Sequence, residues 1–186
     1  IYSTFLQRSY DQLVHDVALQ ELPVVFCLDR AGLVGKDGPT HHGMFDIPYM
    51  RSLPEFTVMA PKDGPELEIM LEKALEWDRP VSIRYPRGKA NQLVGASSCA
   101  PLEMAKAEFL RKGDALVILA VGSMVNTALL AAGVLSKEGV EATVVNARFV
   151  KPLDKEMLEE IAKHSKKIFT VEEGIATGGF GSAVLE

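Results

Sequence analysis

Apolar residues change their spacing several times along the chain, and each change marks an element. Leu6, Tyr10, Leu13, Val14 and Val17 recur three and four positions apart, which predicts an amphipathic helix with Thr4 and Gln7 as a capping box. Five apolar residues at 24–28 follow Pro23 without alternation, as in a strand covered on both faces. A long polar, glycine-rich stretch runs from 29 to 43. Beyond it the pattern predicts a strand at 56–60, a helix at 65–77 and a strand at 81–85. Residues 86–101 lapse into Gly, Asn, Gln, Ser and Pro, a linker composition. A second set then begins, with strands at 115–121, 142–147 and 168–171, helices at 125–136 and 154–164, and the first turns of a helix within 178–185.

Strands alternating with helices specify parallel sheets. The expected fold class is therefore α/β, with two doubly wound, mainly parallel-sheet domains at residues 1–88 and 106–186, joined by a linker at 89–105. The 47% share of hydrophobic residues can fill such cores. A formal net charge of −5, with no basic block, argues against nucleic acid as a partner. The longest apolar runs are strand-sized, well short of the roughly 20 residues that cross a bilayer, so no membrane partner is expected. Cys27 and Cys99 form no C-x-x-C pair and are read as small buried hydrophobes in a reducing compartment. The first residue is Ile, and a helix signal follows almost at once, so the chain is expected to be cut from something longer.

Ligands of open parallel sheets bind beyond the carboxyl ends of the strands, which directs attention to two segments. Residues 29–43 combine four glycines with Arg30, Lys36, Asp37, His41 and His42, a set able to approach a ligand closely, bind phosphate and move protons. A connection this long in a compact domain is usually functional or mobile. It is not a P-loop, because Asp37 follows Gly35-Lys36 where Ser or Thr is required. Adjacent histidines in extended chain point apart, so His41 and His42 make a poor chelating pair and no metal site is assigned. The second segment, 84–88, carries Arg84 and Arg87, whose planar guanidinium groups suit phosphate. On the opening helix Tyr2, Phe5 and Arg8 share a face, where an aromatic could stack on a flat cofactor ring or simply join the core. Glu172-Glu173-Gly174 and the glycines at 178–181 miss the dinucleotide fingerprint and are read as structural, and His15 and His164 as surface histidines without partners.

Five motifs together carry a family resemblance: Tyr2-Ser3-Thr4-Phe5-Leu6-Gln7-Arg8, Asp29-Arg30-Ala31-Gly32, Asp37-Gly38-x-Thr40-His41, Arg84-Tyr85-Pro86-Arg87-Gly88 and Arg148-Phe149-Val150-Lys151-Pro152-Leu153-Asp154. The chain resembles the 1-deoxy-D-xylulose-5-phosphate synthases, transketolase-like thiamine-diphosphate enzymes, over almost its whole length. The Asp-Gly-x-Thr-His element is shared with transketolases; the opening helix and Asp-Arg-Ala-Gly are particular to the synthases. The resemblance implies part of a pyrimidine-binding domain followed by most of a C-terminal domain. It implies a reaction in which pyruvate loses carbon dioxide and its two-carbon remainder joins D-glyceraldehyde 3-phosphate, feeding isoprenoid, thiamine and pyridoxal synthesis.

By the same resemblance Phe5 stacks on the aminopyrimidine of thiamine diphosphate and Arg8 sits beside the cofactor. Tyr2, Arg30 and Arg87 hold the substrate phosphate, while Asp37 and His41 contact the acceptor's hydroxyl and carbonyl groups. His42 falls at a variable position and receives no role. The Mg2+ and diphosphate ligands and the activating glutamate belong to a part of such enzymes upstream of Ile1, so the chain alone is expected to be inactive. The family implies a homodimer, cytoplasmic in bacteria or plastidic in plants and algae. Two alternatives differ in kind: a transketolase-like two-carbon transferase using a ketose phosphate, and a non-catalytic module that assembles with a partner subunit. An unfinished final helix counts against the module.

Overall fold

The computed structural model describes residues 1–90 and 100–186. Cys99 and most of the expected linker lie outside the described residues. The chain opens with α1 (Ser3–Leu6), a 3-10 turn (Gln7–Ser9), α2 (Tyr10–Gln12) and a π-helical stretch (Leu13–Ala18). Leu6, Leu13 and Val17 are buried as the periodicity requires. The capping box does not form. Tyr2 is the N-cap without a side-chain bond, and the Thr4 hydroxyl instead donates to the carbonyl of Thr40 at 3.4 Å.

The first sheet has the order β1 (Val25–Leu28), β3 (Val81–Arg84), β2 (Thr57–Met59), β7 (Phe149–Lys151). β1, β3 and β2 run parallel, with Val25 and Thr57 both opposite Val81. β1 is an edge strand, and only Leu28 in it is fully buried, so the expectation of cover on both faces fails. Between the strands lie α3 (Asp46–Ser52), with Pro48 tolerated in its first turn, and α4 (Gly64–Glu76). The Asp63 carboxylate caps α4 by accepting the Glu66 N–H at 2.9 Å.

The second sheet has the order β4 (Glu108–Arg111), β6 (Ala142–Asn146), β5 (Leu116–Ala120), β8 (Ile168–Val171). β6, β5 and β8 are parallel and β4 is antiparallel to β6. α5 (Met124–Lys137), α6 (Lys155–His164) and α7 (Phe180–Leu185) complete the set. The α/β class with mainly parallel sheets thus holds, with one antiparallel edge strand in each sheet.

The two halves are not independent. β7 lies in the second half of the sequence but pairs antiparallel with β2 of the first sheet. One apolar cluster runs through both, joining Leu6, Leu28 and Phe56 to Leu119, Val145 and Phe180. Where the chain crosses from β6 to β7, Arg148 takes a left-handed backbone conformation (φ 59°) and buries its whole side chain. Its guanidinium bonds Glu66 Oε1 at 2.9 Å and the carbonyls of Pro101 and Ala100 at 3.0 and 3.1 Å, and approaches Glu108 Oε2 at 3.2 Å. Lys62 meets the same two carboxylates at 3.1 and 2.8 Å, and Asn146 donates to Glu66. Each buried charge therefore has an opposite partner, the condition on which such a cluster is tolerated.

Candidate active site

The strand order places the carboxyl ends of β1, β3 and β2 side by side, so the loops that follow them share one edge. The loop after β1 is pinched at its base by reciprocal hydrogen bonds between Gly32 and Gly43, at 2.8 and 2.9 Å. Two 3-10 turns, Gly35–Asp37 and Pro39–His41, meet at Gly38, whose φ of 80° suits a residue without Cβ. The pinch and turns bring residues far apart in the sequence against the opening helix.

Tyr2 and Phe5 stack with centroids 5.2 Å apart and planes 9° from parallel. His41 sits edge-on to Phe5 at 5.4 Å. Its Nδ1 lies 2.9 Å from the Thr40 hydroxyl. The Arg30 guanidinium lies over the other ring, 3.8 Å from the Tyr2 centroid, and Arg8 stands 5.8 Å from the Phe5 centroid, both within cation–π range. Phe5 keeps 38% of its surface exposed, so it does not belong to the core.

Asp37 organises the cations. Its Oδ2 accepts Arg30 Nε at 3.0 Å and its Oδ1 pairs with Arg87 at 3.0 Å, so one carboxylate from the β1 loop holds two guanidinium groups from two strand ends. Arg30 also meets Asp29 at 2.5 Å. Burial works against its charged form, but the bond to Asp37 and the neighbouring Tyr2 hydroxyl and Asp29 carboxylate outweigh this and raise its pKa. Beside Arg30 and Arg87 opens a cavity of about 370 Å³, lined also by Tyr85, Lys89 and Ser123.

Several sequence readings change here. Arg84 does not face the cavity; it is buried, with Nε on Asp46 at 2.9 Å and NH2 on the carbonyl of Glu173 at 2.8 Å, and it holds the sheet edge together. His42 turns away from His41, and its Nδ1 accepts the Val34 N–H at 3.2 Å. His15 does have a partner, Asp11 at 3.0 Å on the surface. The two glutamates after β8, read as structural, diverge. Glu172 accepts the N–H groups of Phe180 and Gly181 at the start of α7, whereas Glu173 reaches the β1 loop at Leu33. Glu173 stands two residues past β8, and no local pattern ties it to Leu33, 140 residues earlier.

Residues 1–92 match the pyrimidine-binding domain of transketolase, and residues 105–186 match its C-terminal domain. The chain belongs to the transketolase family. Within this family it is 59% identical over its whole length to the 1-deoxy-D-xylulose-5-phosphate synthase of Syntrophus aciditrophicus and 55% identical to that of Gloeobacter violaceus. It spans only 29 to 30% of the length of these relatives. Among solved structures, a split-gene transketolase described as an inactive β4 tetramer superposes with a TM-score of 0.89 at 31% identity, covering 98% of this chain and 59% of that one. A transketolase variant from Pichia stipitis gives 0.78 at 26% identity, covering 92% of this chain and 26% of that one.

The Tyr2–Phe5–His41 cluster offers an aromatic face to a flat ring, and Arg8 offers a cation beside it. Among the described residues, no group of three or more His, Cys, Asp or Glu side chains could hold a metal ion.

Proposed function

We propose that this chain forms the acceptor-binding part of a 1-deoxy-D-xylulose-5-phosphate synthase, joining the two-carbon remainder of pyruvate to D-glyceraldehyde 3-phosphate as carbon dioxide leaves. The observation that carries this reading is the Asp37 bridge between Arg30 and Arg87. It holds two guanidinium forks in register before substrate arrives, so a phosphate dianion meets donors already placed and little side-chain entropy is lost on binding. Tyr2, stacked against both Phe5 and Arg30, closes the phosphate end.

His41 and Asp37 also contact the acceptor beyond its phosphate. His41 donates to the carbonyl oxygen that gains charge as the new carbon–carbon bond forms, held by the Thr40 hydroxyl on Nδ1 and by its T-shaped contact with the Phe5 ring. Asp37 accepts from the neighbouring hydroxyl and so fixes which face of the aldehyde is presented. Phe5 and Arg8 hold the aminopyrimidine end of thiamine diphosphate; that cofactor supplies the electron sink for decarboxylating an α-keto acid. The Mg2+ and diphosphate ligands, and the glutamate that activates the cofactor, belong in this reading to a part of the enzyme outside the chain. The full-length enzyme is a cytoplasmic homodimer.

The split-gene transketolase, whose fold this chain matches almost throughout, favours a second reading in which the chain is a separate subunit that needs a partner. Assay of the purified 186-residue chain with pyruvate, glyceraldehyde 3-phosphate, thiamine diphosphate and Mg2+ tests both readings. No product is expected from the chain alone, and turnover from it would contradict them.

A further inference from the structure

We infer that Glu173 is a positioning residue for the acceptor site, a tether from the second sheet that sets where the β1 loop and the β3 turn stand relative to each other. This rests on the acceptor-site reading above. Glu173 follows β8, and three of its oxygens are engaged. Oε1 accepts the Leu33 N–H at 3.1 Å, Oε2 accepts the Ser123 hydroxyl at 2.9 Å just ahead of α5, and its carbonyl accepts Arg84 NH2 at 2.8 Å. Leu33 is the first residue of the loop beyond the Gly32–Gly43 pinch, four residues before Asp37. Arg84 ends β3, three residues before Arg87. One residue of the second sheet thus grips both segments whose cations Asp37 brings together.

The sequence leaves room for this grip. Gly32 has φ +80°, and a Cβ there would lie 2.5 Å from the Glu173 carboxylate carbon, closer than any side chain tolerates. The tether also ties the second half of the chain, which already lines the cavity through Ser123, to the two segments that carry Arg30, Asp37 and Arg87. Small displacements of a positioning loop are costly, because acceptor geometry must be held to a fraction of an ångström.

The test uses the full-length enzyme with steady-state kinetics. Glu173→Ala is expected to raise the KM for glyceraldehyde 3-phosphate about tenfold while leaving the pyruvate KM and the thiamine diphosphate half-saturation within about twofold. Glu173→Gln keeps an acceptor for Leu33 and a polar partner for Ser123, and is expected to restore the acceptor KM to within about threefold of wild type. An unchanged acceptor KM in Glu173→Ala, equal rises in both substrate constants, or no rescue by Gln overturns the inference. Should Glu173→Ala fail to fold, Ser123→Ala removes one anchor of the carboxylate and is expected to raise the acceptor KM alone; no rise overturns the inference. Amide exchange separates this from the functional reading. A wild-type enzyme that makes no product defeats the reading, whereas unchanged exchange at residues 31–37 in Glu173→Ala defeats the tether whatever the reaction.

Discussion

Replacing Arg148 by alanine removes the centre of the buried charge cluster at the crossover between the sheets, and its cost can be worked from the contacts. The guanidinium serves Glu66 and Glu108 and two main-chain carbonyls, and the Arg148 and Glu66 side chains are 2% and 1% exposed. Removing one partner of a buried ion pair costs about 3–5 kcal/mol, because the remaining charge stays buried. Here Lys62 still faces both carboxylates, at 3.1 and 2.8 Å, which places the expected loss near the lower end, about 3 kcal/mol. For a chain of this size, about 3 kcal/mol corresponds to a Tm lower by roughly 6–12 °C. Urea unfolding followed by circular dichroism reads the change as a lower midpoint at constant slope. Lys163→Ala, which removes an exposed pair with Glu159 at 3.8 Å, is the control and should cost well under 1 kcal/mol. A loss for Arg148→Ala no larger than for Lys163→Ala would refute the reasoning.

The same cluster sets a pH window. Burial of Glu108 opposes its charge, but Lys62 and Arg148 prevail and hold its pKa below the usual 4.5, so its contribution is present above pH 4.5 and lost as the pH falls further. Lys62, despite burial, is raised above 10.5 by Glu66 and Glu108, so its contribution is present below pH 10.5 and lost above its folded value. Urea midpoints should therefore fall on both sides of this window, and Glu108→Gln should flatten the acid limb; an unaltered acid limb contradicts the assignment. In the full-length enzyme Arg87→Ala should raise the glyceraldehyde 3-phosphate KM roughly 10- to 100-fold, the range of a lost charged hydrogen bond; a change confined to the pyruvate KM would move Arg87 out of the phosphate site. Phe5→Ala should weaken thiamine diphosphate binding in a cofactor titration, and an unaltered titration would contradict its proposed place at the cofactor.

How much of this was legible in the sequence depended on what each element needed. β3, β5 and β6 declare themselves because every one of their inward and outward positions is apolar or buried. β4 and β7 do not. β4 reads Glu-Phe-Leu-Arg, with charges that serve the buried cluster and an exposed pair with Glu141, and β7 is three residues that pair with a strand about 90 positions earlier. α3 was hidden by Pro48, which breaks a helical pattern on paper but fits a first turn. The acceptor loop could be found because glycines, cations and imidazoles crowd the end of an apolar strand. The inward turn of Arg84 could not, since it depends on Asp46, 38 residues away. Glu173 was equally hidden, because its partner Leu33 lies 140 residues earlier and only the fold makes them neighbours.

The central claim, that these residues serve an acceptor aldehyde phosphate in a reaction driven by pyruvate, is tested most directly by carbon dioxide release from the full-length protein. Release from pyruvate that rises steeply on adding glyceraldehyde 3-phosphate, with a deoxypentulose phosphate as product, is the expected result. Two-carbon transfer from a ketose phosphate, with no carbon dioxide released from pyruvate, would contradict it and make the protein a transketolase.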